Sequence, residues 1–95
     1  MVLGVVRLSL RLPSRSLKEK RAIVRPIVER LRNRFNAAIA EIESLENPAG
    51  AVIAAAVISN DHRHANEQLS AIADTVAAWR LDAELLGVET ELLDL

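Results

Sequence analysis

Apolar and polar residues alternate from the first residues of the chain. Val2, Gly4, Val6, Leu8, Leu10 and Leu12 share one face, and Leu3, Val5, Arg7, Ser9 and Arg11 the other. A period of two over this length predicts a strand, Val2 to Leu12, with one buried face, stopped by Pro13, which cannot donate to a ladder. The period then changes. Leu17, Val24, Ile27, Val28, Leu31 and Phe35 fall within roughly 100° of one another on a helical wheel, the buried stripe of an amphipathic helix. Ser16 and Glu19 supply a capping box at its start. Pro26 sits inside that helix and costs it about 3 kcal/mol. The stripe keeps its phase on both sides of Pro26, which predicts a kink and not a break.

Alternation returns from Ala37 to Ser44, with Ile39, Glu41 and Glu43 opposite Ala38, Ala40 and Ile42. Leu45 to Gly50, containing Asn-Pro-Ala-Gly, is a hairpin-sized loop. Ala51 to Ser59 is apolar on both faces, as a central strand would be. Ser59, Asn60 and Asp61 then offer caps for a second helix. Its stripe, Ala65, Leu69, Ile72, Ala73, Val76 and Trp79, ends near Arg80. Leu85 to Leu93 is the last strand, with Val88, Thr90 and Leu92 opposing Glu89 and Glu91.

The order strand, helix, strand, strand, helix, strand with right-handed crossovers gives an α+β fold, the ferredoxin-like βαββαβ sandwich. It predicts one domain over residues 1–95, a four-stranded antiparallel sheet in the order 4-1-3-2, and both helices on one face. Strand 4 beside strand 1 would set Glu89 and Glu91 across from Arg7 and Arg11, each pair contributing about 0.2–1 kcal/mol. The doubly apolar third strand leaves side chains on the open face of the sheet, which predicts a homodimer through that face. The small Ala54, Ala55 and Ala56 would also suit a monomer.

Composition sharpens this picture only in part. Of 95 residues, 51% are hydrophobic and 26% charged, as in a globular protein. The aromatic residues are Phe35 and Trp79, both on predicted buried stripes, so no aromatic is expected to be free to stack on a nucleic-acid base. The chain has no cysteine, which excludes disulfides and thiolate metal sites. The longest apolar run, Ala51 to Ile58, is eight residues, far short of the roughly 20 that span a bilayer. The N-terminal apolar residues precede the positive charges, unlike a signal peptide. A cytoplasmic protein without a membrane partner is the expectation.

Charge is the most informative property. The net value of −1 hides an asymmetry: residues 1–36 carry ten Lys/Arg and two Glu, while residues 37–95 carry two Arg and eleven acids. Lys18, Arg21, Arg25 and Arg32 cluster on one flank of the first helix, with Arg30 and Arg34 on the other. With Arg15 in the preceding loop, the first group forms a candidate strip for phosphates of RNA or for another anionic partner. Basic flanks also serve to solvate an amphipathic helix, their long stems covering its apolar edges.

Other constellations fare worse against plain structural readings. His62 and His64 diverge by about 200° on a helix and lack a third ligand, so no metal is expected. Ser59, Asn60, Asp61 and His62 include nucleophile, acid and base types, yet capping explains them better. Acylphosphatases of similar fold bind phosphate in a glycine-rich loop after strand 1, whereas Leu12-Pro13-Ser14-Arg15 has no glycine. No catalytic constellation and no cofactor site are visible.

Four segments are recognisable in combination: Val2-Leu3-Gly4-Val5-Val6-Arg7-Leu8, Ser16-Leu17-Lys18-Glu19-Lys20-Arg21, Leu31-Arg32-Asn33-Arg34-Phe35-Asn36 and Ser59-Asn60-Asp61-His62-Arg63-His64. In this order they resemble the YlxP-like family of small bacterial proteins, end to end. The resemblance implies a ferredoxin-like fold, no established enzymatic activity, and a link to ribosomal RNA or ribosome-maturation factors through genes that neighbour those of translation. It carries over no catalytic residue. Pro26 departs from the family's pattern, which has an ordinary helix former there. The expected function is thus a non-enzymatic ribosome- or RNA-associated accessory factor. The alternatives are a homodimeric interaction or ligand-sensing module that meets an acidic protein, and a small anion-processing enzyme.

Overall fold

The computed structural model describes residues 1–79 and 82–95. Its elements are β1 (Val2–Arg11), α1 (Leu17–Arg34), β2 (Ala38–Glu43), β3 (Gly50–Ser59), α2 (His62–Ala78) and β4 (Glu84–Asp94). The four strands pair antiparallel in the order β2-β3-β1-β4, the ferredoxin-like arrangement that the pattern predicts.

Alternation in β1 becomes burial directly. Val2, Gly4, Val6, Leu8 and Leu10 are buried, and the residues between them are half-buried on the open face. Leu8, Ile27, Leu31, Ile53, Leu69 and Ile72 are each less than 2% exposed, so both helices and the two central strands share one core. At about 25 cal/mol per Å² of apolar area, burial of such a side chain is worth roughly 1.5–3 kcal/mol. Gly4 lies where α2 crosses β1. A Cβ built there would stand 3.1 Å from Leu69 Cδ1 and Val57 Cγ2 and 3.3 Å from Leu92 Cδ2. Gly4→Val is therefore expected to lower stability by about 1–3 kcal/mol through overpacking, read from the urea midpoint at unchanged m-value.

α1 runs unbroken through Pro26. Pro26 is on the exposed side of the helix, so the Ala22 carbonyl that loses its amide partner lies toward solvent. The helix stops at Phe35, whose extended φ of −120° makes it the C-cap, only half-buried at the end of the stripe. α2 begins at His62 behind the N-cap Asp61, whose side chain accepts from the Arg63 amide. It ends at Ala78 with Trp79 as its extended C-cap, close to the expected end near Arg80, a residue outside those described.

In β4, Val88, Thr90 and Leu92 oppose Glu89 and Glu91 and pair with the buried Leu8, Val6 and Gly4, as the alternation predicts. β4 is an edge strand, covered less fully than the central pair: Leu85 and Leu92 are half-buried and Val88 is 45% exposed. The cross-strand charges need correction. Arg7 stands opposite Glu89, but Glu91 faces Val5, and Arg11 faces Glu84 with 3.4 Å between them. Antiparallel pairing cannot seat both predicted pairs, because the arginines are four residues apart and the glutamates two. A bulge between Ser9 and Leu10 shifts the register and delivers Glu84 to Arg11.

Candidate anionic-partner face of helix 1

The start of α1 is a closed local device. The Ser16 hydroxyl accepts from the Glu19 amide at 3.1 Å, and the Glu19 carboxylate reaches back to the Arg15 amide at 3.2 Å. In the preceding loop the Leu12 amide donates to the Ala49 carbonyl, and the Ser14 hydroxyl to that of Pro48. The Leu12 and Arg15 amides are thus occupied and Pro13 has none, so these three positions offer no amide to a phosphate. Arg15 is exposed, with the Glu19 carboxylate beside its backbone.

Lys20, outside every candidate site read from the sequence, is the best-buried charged residue of α1 at 2% exposure. Its ammonium donates to the carbonyls of Ser44 at 2.6 Å and Asn47 at 2.9 Å and lies 2.8 Å from Glu41 Oε2. Ser44 has a left-handed φ of 60°, uncommon outside glycine. Its carbonyl accepts from both Lys20 and the Asn47 amide, contacts that hold the β2–β3 turn in that conformation. The sequence did carry a signal. On the wheel Lys20 falls between Ile27 and Leu31, in the middle of the apolar stripe, where a charge must find buried partners.

The predicted strip flanks a groove between α1 and β2 of about 410 Å³, lined by Arg21, Arg25 and Arg32 over a floor that includes Val24, Val28 and Ala40. Arg21 and Arg25 are one helical turn apart and exposed. Glu29 lies along the same wall, while Glu41, at the far wall, is engaged with Lys20. Arg32 is not wholly free. Its Nε and Nη2 donate to the Ile39 carbonyl at 3.1 and 2.7 Å, covering part of edge strand β2. Lys18 is exposed near the start of the strip and does not line the groove. The structure thus brings Arg21, Arg25 and Arg32 together and leaves Arg15 and Lys18 toward the helix start.

The opposite flank departs from expectation. Phe35 and Trp79 are half-buried, each with a guanidinium over its ring: Arg30 lies 4.6 Å from the Trp79 centroid and Arg34 5.9 Å from that of Phe35. Neither aromatic is sealed in the core. The second helix start offers less. His62 meets Asp94 at 2.7 Å while His64 Nδ1 lies 3.3 Å from the Ser59 hydroxyl, so the two imidazoles have different partners. Among the described residues no cluster of three or more His, Cys, Asp or Glu side chains could hold a metal ion. No helix among them is long and apolar enough to cross a membrane.

A ferredoxin-like sandwich with a cationic helix face is the class that fold and surface define. Residues 3–90 match the DUF503 family, described as a protein of unknown function, and the chain belongs to that family. No curated protein matches it.

Proposed function

We propose that this protein is a non-enzymatic cytoplasmic accessory factor that binds ribosomal RNA, or a ribosome-maturation partner, through the basic flank of α1. The observation that supports the reading most is the pairing of Arg21 and Arg25, exposed one turn apart beside an open groove, with Lys18 before them and Arg32 beyond. The strand order adds weight. β4, with Glu84, Glu89, Glu91 and Asp94, lies at the opposite edge of the sheet from β2, next to which α1 packs. The acidic strand is therefore three strand spacings, roughly 14 Å, from the edge beside the strip. The resemblance to YlxP-like bacterial proteins favours the ribosome over other polyanions.

The test is sedimentation of a cell lysate through a sucrose gradient. The protein should travel with ribosomal subunits at low salt, leave them in a high-salt wash, and move to the top of the gradient after nuclease treatment. Sedimentation at the top under every condition would overturn the reading. Co-migration with a protein assembly that survives nuclease would point instead to an acidic protein partner.

A second reading, compatible with the first, is a homodimer through the open sheet face. Val5, Ala38, Ala40, Ile42, Ala54 and Ala56 line a shallow apolar depression of about 240 Å³, and Ile58 beside it is 69% exposed. A two-fold axis across the strands would set this apolar half against its own copy. It would also set the β1–β4 half, which carries both signs in Arg7, Arg11, Glu84, Glu89 and Glu91, against itself. Sedimentation equilibrium should give a dimer that Ala54→Glu converts to monomer; a monomer at tens of micromolar would refute it.

A further inference from the structure

The flank of α1 that faces α2 carries a second site. Arg30, Asn33, Arg34 and Trp79 line a hollow of about 280 Å³, and no acid is among these lining residues. Trp79 caps α2 with its ring packed against the core, so one side of the indole is anchored. The Arg30 guanidinium covers the ring at 4.6 Å. A guanidinium laid on an indole is held in place, with part of its side-chain entropy already spent, and it presents a flat cationic surface. Guanidinium planes are surfaces on which unpaired bases stack. Asn33, three residues after Arg30, has an amide that can both donate to and accept from a base edge. Arg34, one turn after Arg30, supplies a charge for the adjoining phosphate.

We infer that this hollow takes one unpaired nucleobase with its phosphate. The base stacks on the Arg30 guanidinium that Trp79 supports, Asn33 bonds its edge, and Arg34 meets the phosphate. The inference rests on the reading of the chain as an RNA binder. It adds a base contact, on a different flank, to the phosphate contacts of Arg21 and Arg25.

Trp79 is the single tryptophan of the chain, so its fluorescence reports on this site. The full-length protein is titrated with hexaadenylate, with an abasic hexamer of equal phosphate count, and with AMP. Hexaadenylate should change the Trp79 emission and bind about tenfold or more tightly than the abasic hexamer, which should leave the emission unmoved. Arg30→Lys keeps the charge but removes the plane. It should abolish most of the preference for hexaadenylate while leaving abasic affinity unchanged. Asn33→Ala should narrow the preference by a smaller factor. Equal affinity for the two hexamers with unmoved emission would overturn the stacking site and leave the Arg21–Arg25 strip standing. Binding of neither would overturn both. AMP binding as tightly as hexaadenylate would overturn the RNA assignment in favour of a free nucleotide.

Discussion

Lys20→Ala is expected to cost about 3–5 kcal/mol, because it breaks a buried ion pair from one side. The Lys20 side chain is 3% exposed and that of Glu41 23%, so the pair lies mostly out of water. Glu41 Oε2 is shut off from solvent and has the ammonium as its ion partner. Without it, that oxygen loses its ion partner and the Ser44 and Asn47 carbonyls lose their donor. A buried group left unpaired costs more than the pair contributed. For a domain whose whole stability is about 5–15 kcal/mol, this is a large share, and the melting temperature should fall by at least 12 °C. The β2–β3 turn should become sensitive to protease before the rest of the chain. Lys20→Met combined with Glu41→Leu removes the charged pair together and should recover part of the loss, although the two carbonyls stay unserved. An unfolding free energy for Lys20→Ala, from urea titration, within about 1 kcal/mol of wild type would show that the network contributes little.

The second large effect concerns binding. Each phosphate neutralised contributes a slope of about 0.9 in log affinity against log salt on duplex nucleic acid. A rise from 50 to 200 mM salt then weakens binding about 3.5-fold per contact, and four or five contacts give a few hundredfold. Arg21→Glu with Arg25→Glu removes two contacts and adds two repulsions. RNA affinity at low salt should fall by about a hundredfold and the slope should drop by about two. Both residues are exposed, so the thermal transition should move by no more than a few degrees. Arg63→Glu, at the start of α2 and paired with Glu67, changes net charge half as much as the double variant and should scarcely alter affinity beyond the general field of the protein. Losses in proportion to the charge changed would place the effect in net charge and remove the strip from the account. Unchanged affinity in the double variant would do so more directly.

Much of this molecule was legible from local pattern. Period two gave the strands, and period 3.6 with Ser16 and the caps Ser59, Asn60 and Asp61 gave the helices and their approximate starts, because each signal depends only on neighbours along the chain; the fold selected Asp61. Element order with right-handed crossovers gave the sheet order, since few topologies satisfy both. The partner of Arg11 was not read from the sequence, because a bulge opposite Ser9 and Leu10 changes the register by one residue, and its single local mark is Gly87. Nor was the Arg30–Trp79 stack, which joins two helices far apart in sequence and turns an expected core residue into part of a surface.

The basic stretch shows the same division. The sequence by itself determined how many charges α1 carries and on which flanks they fall, because helical geometry fixes angles from spacing. Only the tertiary structure decided what each charge does. Docking α1 beside β2 sank Lys20 into the β2–β3 turn, tied Arg32 to the edge carbonyl of Ile39 and left Arg21 and Arg25 open. It also set β4 and its acids at the far edge of the sheet. Those outcomes depend on distances between segments that the chain specifies only once it has folded.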